Sequence, residues 1–237
     1  MNIKVYPDED VVAGKAAVII ADDARAAVTS RGRFIMAVSG GRTPWLMLRA
    51  LARNELPWRQ VHVFQVDERL APTGDPDRNF AHLRASLLDH APLLPEHVHA
   101  MPVEAAELDR AAEQYARTLR EVAGLPPVLD LIHLGLGPDG HTASLVPGDP
   151  VLDVTAADVA VTGPYQGRRR MTLTFPIINR ARLVLWLVTG REKAEALVRL
   201  RDGDRSIPGS RVSQKGALVL ADRAAAARLG TEEKLEA

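Results

Sequence analysis

At 237 residues the chain is long enough to bury a sizeable core. Its 46% hydrophobic and 25% charged content is ordinary for a soluble globular protein. Thirty basic residues balance thirty acidic ones, so no overall field draws in nucleic acid or an anionic membrane, and any anionic ligand must be held by a local cluster. The chain has no cysteine, which excludes disulfides, thiolate metal sites and a cysteine nucleophile. MNIKVYPDED reaches acidic residues before any apolar run long enough for a signal peptide. No stretch approaches the roughly 18 apolar residues of a membrane span, so the default expectation is a cytoplasmic protein.

Repeats, low-complexity tracts and heptads are missing; strand-like and helix-like segments alternate instead. Ile3 to Tyr6 reads as a short strand, and Asp8 to about Ser30 carries apolar residues at helical spacing with Asp8 placed to cap. Phe34 to Val38 is an apolar strand ending in Ser39-Gly40-Gly41-Arg42-Thr43-Pro44, and Pro44 suits the first turn of the next helix. Val61 to Val66 reads as a buried strand emptying into Asp67-Glu68-Arg69 and a Pro/Gly/Asp-rich loop that reaches Asn79. A helix follows, then a second from about Glu104 to Val122. Leu129 to Leu134 is a third strand, running into Gly135-Leu136-Gly137-Pro138-Asp139-Gly140-His141. Arg170 to Phe175 and Leu183 to Val188 are strand-like, and Arg191 to Leu200 is helical. Ala217 to Leu220 gives one more strand before an alanine-rich terminal helix.

Continuous apolar strands alternating with helices imply an α/β, mostly parallel sheet with helices on both faces. Three polar, glycine-containing loops leave the C-terminal ends of three strands, the edge at which open α/β sheets bind ligands.

Each loop has a functional and a structural reading. SGGRTP brings two glycines to a helix N-terminus, where unpaired N–H groups favour an anion, and adds the hydroxyls of Ser39 and Thr43 and the charge of Arg42; it also suits a tight turn with a capping hydroxyl. It is neither a Walker A loop nor a dinucleotide fingerprint. In the second loop Arg69 can clamp a carbonyl oxygen or phosphate with two donors and Asp67 sits at the sheet edge, though charged turn formers alone produce such a loop. The third loop frames His141 with four glycines and two prolines, beside Asp139, Thr142 and Ser144. A histidine there can take a proton near neutral pH, while the other six histidines read as structural or exposed. One His and one Asp do not make a metal site. Arg170 at a strand start and Lys193, one of five lysines, add candidate cations.

Taken together, SGGRTP (39–44), DERLAP with Asn79 (67–79), LGLGPDGHTASLVPG (134–148), RMTLT (170–174) and TGREKA (189–194) resemble the 6-phosphogluconolactonase family, within the wider glucosamine-6-phosphate isomerase/deaminase group. They occur in the family's order and spacing. The resemblance implies a Rossmann-like α/β fold in one domain over residues 1–237, and hydrolysis of 6-phosphogluconolactone in the pentose phosphate pathway with no metal or organic cofactor. It also implies His141 as catalytic base, with Asp67 and Arg69 carried over from the DER segment. Two positions depart from the family pattern: Arg78 stands where serine is usual, and Val146 where phenylalanine is usual.

On this reading His141 takes a proton from the attacking water and returns it to the leaving ring oxygen. Arg69 and glycine-loop amides face the oxyanion, and Asp67 orients Arg69 or the sugar hydroxyls. Ser39, Gly40, Gly41, Arg42, Thr43, Asp139, Gly140, Arg170 and Lys193 bind substrate and phosphate. The expected partner is a phosphorylated sugar lactone, with monomer and weak homo-oligomer both open. Two alternatives remain. An amino-sugar-phosphate deaminase/isomerase resembling that group needs a carboxylate shortly after the histidine loop, where this chain has Leu145-Val146-Pro147-Gly148. A non-catalytic sugar-phosphate sensor would bring a DNA-binding helix pair, for which the segment before the first strand has no room.

Overall fold

The protein is described by a computed structural model over residues 1–230. Ten strands form: β1 (Asn2–Tyr6), β2 (Phe34–Val38), β3 (Val61–Gln65), β4 (Asp67–Arg69), β5 (Val98–His99), β6 (Leu131–Gly135), β7 (Val159–Val161), β8 (Arg170–Leu173), β9 (Leu183–Val188) and β10 (Leu218–Asp222). The helices are α1 (Glu9–Arg31), α2 (Arg42–Leu51), α3 (Asn79–Leu83, continued by a π-helical turn over Arg84–Leu88), α4 (Leu108–Ala123), α5 (Phe175–Ile178) and α6 (Ala194–Arg201).

Seven strands make one parallel sheet in the order β1-β10-β9-β6-β2-β3-β5. Its residues alternate between two apolar layers. Phe34, Met36 and Val38 of β2 join Leu185 and Leu187 of β9 beneath α1 and α2. Ile35 and Ala37 face the other way with Phe64, Ile132, Leu134 and Trp186, under α4, α6 and the second sheet. Both faces are therefore dry, which is why these strands read as unbroken apolar runs. Asp8 caps α1 as expected, accepting a bond from Val11 N–H at 2.9 Å. Alanines 13, 16, 17, 21, 24 and 27 let that helix lie close on the sheet. No helix among the described residues is long and apolar enough to cross a membrane.

Several expected bounds differ. Asp67–Arg69 is not loop but strand β4, in a second antiparallel sheet β4-β8-β7 with Asp67 opposite Thr172 and Arg69 opposite Arg170. Val66 is the hinge: its N–H still bonds Val38 of the large sheet at 3.0 Å, while its carbonyl accepts from Leu173 N–H at 2.8 Å. Strand β8 stops at Leu173 because Pro176 cannot extend a ladder and instead sits in the first turn of α5. Helix α4 begins at Leu108, not Glu104, since the Glu104 carboxylate is held by Thr73 N–H at 2.7 Å and the Thr73 hydroxyl. In place of the alanine-rich terminal helix, Ala225–Arg228 makes a single 3-10 turn; the remainder of that expectation, 231–237, lies outside the described residues.

The connections from β2 to β3 run one way along the sheet and those from β6 to β9 and β10 run the other. The C-terminal ends of the neighbours β2 and β6 therefore mark a topological switch point, where a crevice must open between diverging loops.

Candidate active site

A cavity of about 670 Å³ occupies that crevice. Its wall is built from Ser39 to Pro44 after β2, Asp67 and Arg69 of β4, Asn79 at the start of α3, and Gly135 to Gly137, His141 and Ala143 at and after the end of β6. Arg170 of β8, the Thr189–Lys193 turn after β9, Asp222 at the end of β10, and Asp8 and Glu9 at the start of α1 also line it. Distant segments meet because five adjacent strands end on the same edge.

His141 is fixed by Asp139. The Asp139 carboxylate accepts from the His141 ring Nδ1 at 2.6 Å and from the His141 backbone N–H at 3.1 Å. Since a carboxylate only accepts, Nδ1 carries the hydrogen, and in the neutral ring this leaves the lone pair on Nε2. Burial by itself would raise the Asp139 carboxyl, but the bonds from His141 and from Tyr165 outweigh it and hold it below the ordinary value. Gly137 makes room: a Cβ there would lie 2.0 Å from His141 Nδ1 and 2.6 Å from the Asp139 carboxylate. Ala143, in the same turn, has φ of 51°, a strained value for a non-glycine residue beside the cavity.

The opposite wall carries the guanidinium groups. Cross-strand pairing sets Arg69 next to Arg170. Arg69 Nη1 donates to Asp77 O at 2.9 Å and to the Asn79 side chain, whose amide in turn donates to Asp67 O at 3.0 Å. Gly40 permits this, because a Cβ at that position would lie 2.0 Å from Asn79 Oδ1. Burial and the like charge of Arg69 lower the Arg170 guanidinium, against the opposing pull of Asp67 and Tyr165. Two adjacent arginines of which one is buried form a place where an anion is electrostatically favoured. Asp67 lies beneath them, buried and bonded by Ser144 Oγ at 2.6 Å; burial pushes its carboxyl upward despite that bond and the two cations.

On the third side, α2 starts at the Gly41 cap with no side-chain cap bond, leaving first-turn N–H groups directed toward the cavity end. Thr43 Oγ1 and Thr189 Oγ1 are 2.6 Å apart and tie the β2 loop to the β9 turn. Lys193 is half-buried there; burial lowers its ammonium against the attraction of Glu192 and Asp139. Asp222 holds the turn, accepting Gly190 N–H at 3.1 Å and Ala225 N–H at 2.7 Å.

Of the expected residues, His141, Asp67, Arg69, Ser39, Gly40, Gly41, Arg42, Thr43, Arg170 and Lys193 line the cavity. Asp139 and Gly140 do not. Asp139 is turned behind His141 and acts on the ring, while Gly140 packs on Ile207 and its carbonyl accepts from Gly209 N–H at 2.8 Å. Arg42 lies at the rim, four-fifths exposed and paired with Glu9. Asp67 does not hold Arg69 through its side chain; Asn79 does.

Sequence reasoning missed Glu68. It is fully buried and accepts from Arg69 N–H and Asn79 N–H at 2.8 Å, from Phe80 N–H at 2.8 Å and from Gln65 Nε2 at 2.9 Å. Arg78, the residue in the usual serine position, lies 3.3 Å from the same carboxylate and donates to Ala71 O at 2.9 Å. Only the DER spacing hinted at this, because a buried carboxylate is recognised by its donors, which come from far along the chain. Among the described residues, no group of three or more His, Asp or Glu side chains is arranged to hold a metal ion.

Fold and site together define a parallel α/β protein with a cavity at its switch point, lined by two arginines, a lysine and a carboxylate-supported histidine. The sequence model of the glucosamine-6-phosphate isomerases/6-phosphogluconolactonase family matches residues 7–220, and the chain belongs to that family. It is 40% identical over 201 residues to a 6-phosphogluconolactonase of Synechocystis sp., covering 83% of each chain. With the 6-phosphogluconolactonase of Nostoc sp. it shares 34% over 236 residues, covering 96% of this chain and 98% of that one. Its structure superimposes on that of a 6-phosphogluconolactonase from Thermotoga maritima with a TM-score of 0.84 at 28% identity, covering 93% and 98% of the two chains.

Proposed function

We propose that this chain hydrolyses 6-phospho-D-glucono-1,5-lactone to 6-phosphogluconate, as a single-domain cytoplasmic enzyme of the pentose phosphate pathway. The observation that carries the reading is His141, held by Asp139 in the tautomer of a base and lining the same cavity as Arg69, Arg170 and Lys193. The relatives named as 6-phosphogluconolactonases support the choice of reaction.

Ring opening requires a water to attack the lactone carbonyl and a site for the oxyanion that results. His141 Nε2 takes the proton of that water as the C–O bond forms. Arg69, kept rigid by Asn79 and Asp77 O, donates to the carbonyl oxygen as it becomes negative. When the tetrahedral intermediate collapses, the ring oxygen leaves and takes the proton back from His141. The 6-phosphate lies on the N-terminal amides of α2, with Lys193 and Arg170 supplying charge. Asp67, bonded to Ser144 Oγ, places a buried carboxyl within electrostatic reach of the two guanidinium groups.

A rate assay with freshly generated 6-phosphogluconolactone, corrected for spontaneous opening, tests the reading. Purified protein should accelerate opening far beyond the uncatalysed rate. No acceleration, or ammonia released from glucosamine 6-phosphate in its place, would overturn it.

A further inference from the structure

Tyr165 lies outside every segment that carries the family resemblance, in the hairpin that precedes β8, yet it touches three members of the site. Its hydroxyl donates to Asp139 Oδ2 at 3.1 Å, the carboxylate oxygen that His141 leaves unused. Its ring stands edge-on to the His141 ring, with centroids 5.5 Å apart and planes at 62°. On the other side the Arg170 guanidinium lies 5.0 Å from the Tyr165 ring centroid.

The hairpin is built to hold this position. Tyr165 and Arg168 bond to each other through their backbones at 2.9 and 3.2 Å, closing a two-residue turn at Gln166 and Gly167. Gln166 accepts φ of 51° there, and its side-chain oxygen lies 3.4 Å from Arg170 Nη2. Arg168 then ties the hairpin to the loop that supports Arg69, reaching Asp75 at 2.8 Å and Asp77 at 3.2 Å.

We infer that Tyr165 is a positioning residue for the lactone-opening reaction, which locks the Asp139–His141 pair through its hydroxyl and seats Arg170 through its ring. The inference rests on the reaction proposed above. The physical reason is that a carboxylate bonded at one oxygen alone can rotate about its Cβ–Cγ bond, and the imidazole would rotate with it. A donor on the second oxygen removes that freedom. The aromatic face provides Arg170 with a seat that neither adds charge nor competes with an anion for its N–H groups.

Two substitutions separate the functions. Tyr165→Phe deletes the hydroxyl and keeps the ring, so kcat should fall roughly three- to tenfold with KM unchanged. Tyr165→Leu removes both, so KM should rise as well, roughly two- to fivefold. The ring 15N resonances of His141 give a readout independent of turnover: Nδ1-protonated in the wild type, and a mixture of tautomers in Tyr165→Phe. Wild-type kcat and an unchanged His141 tautomer in Tyr165→Phe would overturn the inference. So would equal damage to kcat and KM in both variants accompanied by an equal drop in Tm, which is the behaviour of simple packing. If the wild type does not open the lactone at all, the proposed reaction fails first, and the tautomer measurement still decides whether Tyr165 governs His141.

Discussion

On the proposed reaction His141 accepts a proton at Nε2 while its Nδ1–H donates to Asp139, so the two side chains act as one group. His141→Asn should lower kcat by two or more orders of magnitude while leaving the urea midpoint close to that of the wild type. Near-full activity in that folded variant would remove His141 from the chemistry. Arg170 poses a different question, because it adjoins both Arg69 and the Tyr165 ring. If it reads the phosphate, Arg170→Ala should raise KM for the phosphorylated lactone about ten- to a hundredfold and hardly alter the slower opening of unphosphorylated gluconolactone. Equal loss on both substrates would place Arg170 at the reacting carbonyl. At this scale the glycine-rich loop made His141 visible in the sequence, a strand-end guanidinium singled out Arg69, and the scarcity of lysine singled out Lys193. Asp139 was visible too, but its work behind the histidine was not, because 2.6 Å to Nδ1 is a fact of loop closure.

Among the elements, the loop from β4 to α3 depends on a single buried group. Glu68 collects four backbone and side-chain donors and the Arg78 cation, so it fastens β4, the N-terminus of α3 and the seat of Arg69 together. Glu68→Gln turns one acceptor oxygen into a donor that faces other donors. Unfolding free energy should fall by about 3–5 kcal/mol, and the variant's remaining activity should show a raised KM. A variant as stable as the wild type in urea would mean that the loop is held by something else. The cap of α1 is a milder case: Asp8→Ala should cost about 1 kcal/mol, measured in the same way. Strands β2 and β9 match the apolar runs residue for residue, since each is buried on both faces. Strand β4 escaped notice because Asp67-Glu68-Arg69 has no apolar signature; its pairing with β8 is a long-range event.

For the whole molecule, acid is the informative variable. His133 is fully buried in β6 with Nδ1 accepting from Ser39 N–H at 3.3 Å, and burial pushes it down to about 3. His62 and His99 are held at about 4, first by burial and then by His97, with His99 and Arg33 adding to the effect on His62. In the unfolded chain all three take up a proton near the ordinary value of 6.5. The unfolded state therefore binds more protons between about 6.5 and these lowered values, and stability must drop as pH falls through that window. For His133 the slope approaches about 1.4 kcal/mol per pH unit. Urea melts at pH 7 and pH 5 should show this loss, and His133→Leu should flatten the dependence whatever it does to stability at pH 7. A slope unchanged by the substitution would show that His133 does not carry the linkage.

What the sequence determined by itself was local. Buried strands, a capped first helix and glycine loops at strand ends all follow from hydrophobic runs, side-chain chemistry and backbone permissiveness within a few residues. Those signals were enough for the α/β class and for most of the cavity wall. What only the tertiary structure decided was how segments far apart in the chain share space. Val66 passes the chain from one sheet to the other, Asn79 reaches across 12 residues to Asp67 and holds Arg69, and Tyr165 reaches back to Asp139. Hydrogen bonds of this kind depend on distances near 3 Å between groups whose separation along the chain carries no information about their separation in space. They form because burial of both apolar layers first brings the C-terminal ends of the strands to one edge.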